Sequence, residues 1–212
     1  MVSGVQHPVF ARAYARFAPG MEAAGVAEHR AELVAGLTGQ VIEVGAGTGL
    51  NFAHYPSRVT HAVAVEPEPF LRARAEEAAA GAPVPVRVVP GTAEALPVPE
   101  ASFDAAVVSL VLCSTLDPAL ALAELRRVLR PGGELRFYEH VRSSDPRAAR
   151  LQRLADVVWP LLGGNCHTAR HTEGSITEAG FEMVETRRFH FRPCLLSAPV
   201  APHIIGTARR RP

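Results

Sequence analysis

The sequence predicts an α/β domain with a seven-stranded, mostly parallel sheet and helices on both faces. Two observations predict this class. Short apolar runs, most of them ended by Gly, Pro or charged residues, recur along the chain, and stretches with apolar residues at helical spacing lie between them. Such alternation is typical of parallel strands joined by right-handed crossovers. The length of 212 residues suits one substantial core, so we expect a single domain.

The predicted elements follow in chain order. Strands are expected at 40–44, 61–65, 86–89, 103–112, 134–140, 183–191 and 203–209. Helical segments are expected at 7–37 in at least two pieces that break near Ala18-Pro19-Gly20, at 67–80, at 117–129, and over most of 142–180. The helix at 117–129 has the clearest start, because Asp117 and Pro118 suit the N-cap and the first helical position.

Composition excludes several classes of function. The formal net charge is +1, which gives no reason to expect nucleic acid or a membrane surface as a partner. The chain has neither a long uncharged apolar run nor a signal-peptide pattern at its start, so we expect a cytoplasmic protein. All 22 basic residues are Arg, which excludes a Schiff-base or P-loop lysine. Three cysteines, an odd number, argue against a disulfide framework and favour buried thiols.

A glycine-rich turn follows the first predicted strand in VIEVGAGTG, residues 41–49. Gly45, Gly47 and Gly49 allow close approach of a ligand at the carboxyl edge of the sheet, and a helix is expected to follow them. A dinucleotide fingerprint would need its third glycine at position 50, where this chain has Leu50. The turn therefore indicates a ligand other than a dinucleotide.

The turn, with Glu43 before it, resembles motif I of the class I S-adenosylmethionine (SAM) methyltransferases. The likeness continues in order through VAVEP, which ends in Glu66-Pro67, GTAEALP (91–97) and RRVLRPGGEL (126–135). It implies a Rossmann-like class I methyltransferase fold, SAM as cofactor and S-adenosylhomocysteine as product. A carboxylate at Glu66 can accept both ribose hydroxyls. The implied cofactor-binding residues are Glu43, Gly45, Ala46, Gly47, Gly49, Asn51, Glu66, Pro67, Thr92, Ala93, Leu110 and Cys113, with Thr92 standing where many relatives carry Asp.

Four further stretches, SLVLCS (109–114), EHVR (139–142), GNCHTAR (164–170) and PHIIGTA (202–208), resemble the alkyl thiol methyltransferase family. This resemblance spans about 40–208 and implies S-methylation of a small, fairly apolar thiol, such as a xenobiotic or a reduced dithiol antibiotic. Vertebrate members carry an apolar N-terminal membrane anchor. This chain begins instead with an amphipathic segment at 10–17, so we expect no membrane attachment.

The resemblance divides the chain into a helical lid at 1–37, a SAM-binding core at 38–141 and a substrate-pocket segment at 142–212. His140 and Tyr14 are the catalytic candidates: His140 could accept a thiol proton or stabilise a thiolate, and Tyr14 could contact the sulfonium. Because a thiol with a pKa near 8.5 is a few per cent ionised at neutral pH, little base catalysis is required. Each residue could also have a purely structural role.

The substrate candidates are Tyr14, Trp159, His167, Arg170 and His171. Cys166, His167 and His171 are candidates for a metal site, because the two histidines are four residues apart and would share a helix face. Cys166 would point elsewhere on that helix and Cys194 would have to come from afar, so we expect no metal.

Two other functions fit the sequence. The GTAEALP and RPGG segments also resemble SAM-dependent C- or O-methyltransferases of quinones, sterols or polyketides. A non-catalytic SAM-binding module that assists a partner protein is the third reading, although the intact glycine turn, Glu66 and His140 argue against it. The sequence leaves the oligomeric state and the identity of the thiol open.

Overall fold

The fold is a seven-stranded, mostly parallel sheet, as predicted, and its strand order is β3-β2-β1-β4-β5-β7-β6. A computed structural model describes residues 6–193 and 195–211, apart from the side chains of residues 195 and 196, so Cys194 lies outside the described residues. The strands are β1 (Gly39–Val44), β2 (Val59–Val65), β3 (Val86–Val89), β4 (Phe103–Ser109), β5 (Leu129–His140), β6 (Phe181–His190) and β7 (Pro202–Arg210). β1 to β5 pair in parallel, and β7 runs antiparallel to both β5 and β6.

Helices cover both faces of this sheet, as expected for parallel strands that are buried on both sides. They are α1 (Pro8–Met21), α2 (Ala27–Val34), α3 (Pro69–Ala79), α4 (Pro118–Val128), α5 (Pro146–Ala155), α6 (Trp159–Leu162) and α7 (Thr172–Glu178). Alternate strand residues face opposite layers. Ile42 packs in a core with α4 and α7, whereas Val41 packs in a second core with α2 and α3. The carboxyl ends of β1, β2, β4 and β5 meet at one edge of the sheet, where the site lies.

The N-terminal helices differ from the prediction at their break. α1 continues through Ala18, Pro19 and Gly20, and the irregularity falls instead at Gly25, whose φ of 116° is incompatible with a helix. Glycine reaches that conformation without the steric cost that any other residue would incur. The predicted break near Pro19 was therefore wrong.

Other boundaries were also misplaced. No α-helix follows the glycine turn; residues 47–51 form turns and lead into a short 3-10 helix at Phe52–His54. β4 ends at Ser109 rather than at 112, because Leu110 has a φ of 59° and leaves the strand. α4 ends at Val128, and β5 begins at Leu129.

The segment from 142 to 180 contains less helix than predicted. α5, α6 and α7 are short, and residues 163–171 form irregular backbone between them. His167 and His171 therefore do not share a helix face, contrary to the prediction. Gly164 and Asn165, with φ of 60° and 67°, turn the chain in a way that a helix cannot accommodate.

Candidate active site

The glycine turn and Glu66 form one end of the site. Gly45 and Gly47 have φ of 70° and 58°, and the Gly45 amide donates to the carbonyl of Val65 at 2.8 Å. The Glu66 carboxylate accepts the amide N–H of Gly47 at 2.7 Å and that of Glu68 at 2.9 Å. Burial raises the pKa of Glu66 to about 7, although both amide hydrogen bonds act to lower it.

A buried polar network supports the turn from behind. Glu43 accepts hydrogen bonds from the Asn51 amide at 2.8 Å and from the Tyr55 hydroxyl at 2.5 Å. The Arg30 guanidinium donates to the side-chain oxygen of Asn51 at 3.0 Å and to Glu22 at 3.0 Å. Burial raises the pKa of Glu43, and its hydrogen bonds and Arg30 partly offset this effect.

A cavity of about 450 Å³ extends along this edge of the sheet. Among its lining residues are seven of the predicted cofactor residues, namely Gly45, Gly47, Glu66, Pro67, Ala93, Leu110 and Cys113. Tyr14, His140 and Trp159 line it as well. The structure thus brings together in one cavity residues that were predicted from separate stretches of sequence.

The other predicted cofactor residues do not line this cavity. Glu43 and Asn51 lie in the buried network behind the turn. A Cβ added at Gly49 would meet Phe52 at 2.7 Å, so that glycine serves packing within the protein. Ala46 belongs to the core beneath the turn, and Thr92 forms a bridge with Ala95.

The cavity suits a polar, ribose-bearing cofactor. Gly47 presents backbone without a side chain, and a Cβ there would lie 3.5 Å from the Tyr14 ring. Glu66 offers a buried carboxylate to hydroxyl donors, and Oε2 of the neighbouring Glu68 is buried with no hydrogen-bond partner among the described residues. Leu110 lies at the cavity wall and has a left-handed backbone conformation, with a φ of 59°. Backbone strain of this kind concentrates at functional sites. These residues fit SAM.

Tyr14, on α1, lies over the glycine turn, and the role of 1–37 as a lid stays a prediction. Its hydroxyl accepts a hydrogen bond from Arg30 at 3.4 Å, and its ring is stacked with that of Phe10 at a centroid distance of 6.0 Å. Burial raises the pKa of Tyr14, and the positive charge of Arg30 opposes the shift. The hydroxyl therefore stays protonated at neutral pH.

Two cysteines and a histidine meet in the same cavity, and we call Cys113, His140 and Cys166 the thiol cluster. Nδ1 of His140 lies 3.5 Å from Sγ of Cys113 and 3.3 Å from Sγ of Cys166. The interaction with Cys166 and burial raise the pKa of Cys113. The pKa of Cys166 is lowered by its interaction with Cys113 and by His140. Both cysteines are free thiols, as expected from the cysteine count.

Glu139 positions the Cys113 side of the thiol cluster. Its side chain is fully buried, and its carboxylate accepts the amide N–H groups of Val111 and Leu112 at 2.9 Å and of Cys113 at 3.0 Å. Burial raises the pKa of Glu139 despite these three bonds. The carboxylate thereby fixes the loop after β4 against the end of β5.

The segment at 163–171 closes over that loop. The amide of His167 donates to the carbonyl of Cys113 at 2.8 Å, and the Asn165 side chain donates to the carbonyl of Ser114 at 2.7 Å. Arg170 donates to the carbonyls of Leu112 and Thr115. These contacts bring Cys166 to Cys113 and His140.

The predicted substrate residues separate into two groups. Tyr14 and Trp159 line the cavity, whereas Arg170 and His171 line a smaller neighbouring depression of about 190 Å³. His167 contacts the loop after β4 through its backbone. Their roles toward a substrate stay predictions.

Two important residues were missed by sequence reasoning. Arg30 is one of 22 arginines in the chain, and no sequence signal marked it as buried. Glu139 lies in EHVR, and no role is predicted for it from the sequence. An acid directly after Phe137 and Tyr138 near the end of a predicted strand was the available signal, since a carboxylate buried there requires donors.

Comparison with known proteins agrees with this site. Residues 42–137 match a family model described as a methyltransferase domain. Thiol S-methyltransferase TMT1B of Rattus norvegicus is 36% identical over 176 residues, covering 79% of this chain and 69% of that protein. Thiol S-methyltransferase TMT1A of Homo sapiens is 34% identical over 174 residues, with the same two coverages.

Solved structures share the fold at lower identity. A SAM-dependent methyltransferase of Thermotoga maritima superposes with a TM-score of 0.70 at 24% identity, covering 96% of this chain and 98% of that one. The cyclase SpnF gives a TM-score of 0.69 at 22% identity, covering 89% and 82%. Because a cyclase has the same fold, the fold alone does not define the reaction.

The glycine turn, the cavity and the curated relatives together define a SAM-dependent methyltransferase. The chain belongs to the class I SAM-dependent methyltransferase family, and its cofactor is SAM. Four relatives with 34–36% identity that align with 79–82% of this chain are thiol S-methyltransferases. Within the described part of the chain, no helix is both long and apolar enough to cross a membrane.

Proposed function

We propose that this protein transfers the methyl group of SAM to the thiolate sulfur of a small, fairly apolar molecule, such as a thiol xenobiotic or a reduced dithiol natural product. The observation that carries the proposal is the thiol cluster, which lines the same cavity as Glu66 and the glycine turn. The similarity to curated thiol S-methyltransferases supports it independently.

SAM supplies an electrophilic methyl group on a sulfonium. A thiolate that attacks this carbon forms a new carbon–sulfur bond as the bond to the sulfonium breaks, and the products are a thioether and S-adenosylhomocysteine. No covalent enzyme intermediate is needed, so neither cysteine is required as a nucleophile. The protein must orient the thiol, exclude water and favour the ionised form.

The residues of this chain would divide these tasks. Glu66 would accept the ribose hydroxyls, and the backbone at Gly47 would allow the cofactor to approach closely. Tyr14 would close the cavity from the N-terminal helix, and Trp159 would contact the apolar part of the substrate. His140 would stabilise the thiolate from the end of β5.

Labelling tests the proposal directly. The purified protein is incubated with SAM that carries a deuterated methyl group and with a substrate that bears both a thiol and a hydroxyl, such as 3-mercaptopropanol or 4-mercaptophenol. Mass spectrometry of the product should locate the label on sulfur alone. Label on oxygen or carbon would reject S-methylation, and so would enzyme-dependent turnover confined to quinols, which the second sequence interpretation expects.

A further inference from the structure

The atoms of the thiol cluster have the separations of metal ligands. One ligand atom each from Cys113, His140 and Cys166 lies within 4.8 Å of the other two. Zinc at about 2.3 Å from sulfur and about 2.0 Å from nitrogen, in tetrahedral geometry, puts those two ligand atoms about 3.6 Å apart. The sulfur–nitrogen separations here are 3.3 and 3.5 Å.

We propose that Cys113, Cys166 and His140 bind a zinc ion at the wall of the SAM cavity. Two thiolates and an imidazole form a soft donor set that selects zinc over magnesium or calcium. Among the described residues, these three form the one group of at least three His, Cys, Asp or Glu side chains whose ligand atoms lie close enough to share an ion. Three protein ligands leave one tetrahedral position for an exogenous group, which is the pattern of catalytic zinc sites.

The surroundings of the cluster resemble the outer shell of a built metal site. The Cys113 amide is held by Glu139, and Trp159 packs against the buried cluster that contains Cys113 and Cys166. Arg170 lies close enough to both thiols to interact with them electrostatically. Such contacts orient ligands and stabilise bound thiolates. Two thiolates also balance the charge of a divalent ion.

The zinc site explains how a thiol could be ionised in this cavity. A coordinating thiol loses its proton outright, here to solvent, as its sulfur occupies the fourth position. No oxidant or other co-reactant is needed. In this arrangement His140 acts as a ligand rather than as a general base. The activation of a substrate thiol by zinc rests on the proposed function. The binding of zinc by these three residues does not depend on it.

Cobalt is the probe for the site, because tetrahedral cobalt with thiolate ligands absorbs visible light. Reduced, metal-free full-length protein is titrated with Co²⁺ and then with Zn²⁺. We expect one equivalent of Co²⁺ to give thiolate charge-transfer and visible bands, and Zn²⁺ to abolish them. Cys113→Ser and Cys166→Ser should each weaken Co²⁺ binding at least tenfold. His171→Ala is the matched control and should keep the wild-type spectrum.

The titration would overturn the inference if wild-type protein failed to bind one equivalent or if the spectrum were unchanged in both Cys→Ser variants. Loss of the spectrum in the His171→Ala control would overturn it as well. A native disulfide between the two cysteines in protein purified without reductant would also contradict it. Thiol methylation by protein that binds no metal would reject the zinc site and leave the proposed function standing. Metal binding without turnover on any thiol would reject the proposed function alone.

Discussion

The two ends of the cavity are assembled in different ways. The SAM end comes mostly from one stretch, 43–68. Gly45 and Gly47 follow the end of β1, and Glu66 follows the end of the neighbouring strand β2. The thiol end joins Cys113, His140 and Cys166, which lie on three separate segments held by Glu139 and Arg170. A local motif therefore marks the cofactor end in the sequence, whereas the substrate end depends on long-range hydrogen bonds. We expect mutations at the two ends to affect different properties.

The largest effect is expected for Glu139→Ala. This change leaves the amides of Val111, Leu112 and Cys113 without their acceptor, the last two in a buried setting, and each unmet buried donor costs about 1–3 kcal/mol. The free energy of unfolding should fall by at least about 3 kcal/mol. Turnover should fall far more than SAM affinity. Denaturant unfolding and calorimetry with SAM measure the two effects.

Glu94→Ala is the matched control for that variant. Glu94 accepts the Leu116 amide at 3.0 Å in a more exposed setting, so its loss should cost about 1 kcal/mol. Equal destabilisation by the two changes would mean that Glu139 does not anchor the loop.

Glu66→Ala should have the next largest effect, at the opposite end. Removal of the carboxylate leaves the ribose hydroxyls and the Gly47 amide unpaired, so SAM affinity should fall by a factor of about 5 to 150, equivalent to about 1–3 kcal/mol. Cobalt binding at the thiol cluster should not change. Unchanged SAM affinity in calorimetry would reject the assignment of Glu66.

The pH dependence of SAM affinity gives a smaller, sharper test. Because the pKa of Glu66 is raised to about 7, the free protein holds a proton there at lower pH, and binding to the ionised form must first release it. SAM should therefore bind more tightly as pH rises from 5.5 to 7, with affinity levelling above that value. Glu66→Gln should bind weakly with no such slope. A flat wild-type profile would contradict either the raised pKa of Glu66 or the contact of its ionised form with the ribose.

The smallest effect is expected for Tyr14→Phe. The ring that covers Gly47 is kept, and the single hydrogen bond from Arg30 at 3.4 Å is lost. A long hydrogen bond contributes little, so SAM affinity should change less than about threefold, within about 1 kcal/mol. Tyr14→Ala uncovers the turn and should weaken SAM binding more. A large loss in Tyr14→Phe would instead assign the hydroxyl a direct contact with the cofactor.

Sequence alone predicted the seven-stranded, mostly parallel sheet, both layers of helices and the residues at the ends of β1 and β2. These follow from local patterns, because each buried strand is a short apolar run and the turn needs glycine at positions of positive φ. The prediction of a helix after Gly49 was wrong, because the turns at 47–51 provide backbone hydrogen bonds without one.

The thiol end could not be predicted in the same way. The sequence groups Cys166 with its neighbours His167 and His171 as possible metal ligands. In the structure, the residues close to Cys166 are Cys113 and His140. That association depends on irregular backbone at Asn165 and on the bonds of Arg170 to another loop. The spacing of apolar residues along the chain carries no information about such long-range contacts. The burial of Arg30 could not be predicted for the same reason, because its partners include the distant Asn51.

The most direct test of the account is S-adenosylhomocysteine release with matched pairs of acceptors, such as thiophenol with phenol and benzyl mercaptan with benzyl alcohol, together with a dithiol and a quinol. The account predicts turnover on the thiols and none above background on the alcohols, the phenol or the quinol. Among the active thiols, rates should vary with size as the cavity admits them. Turnover on a hydroxyl compound or quinol, with thiols inactive, would contradict it.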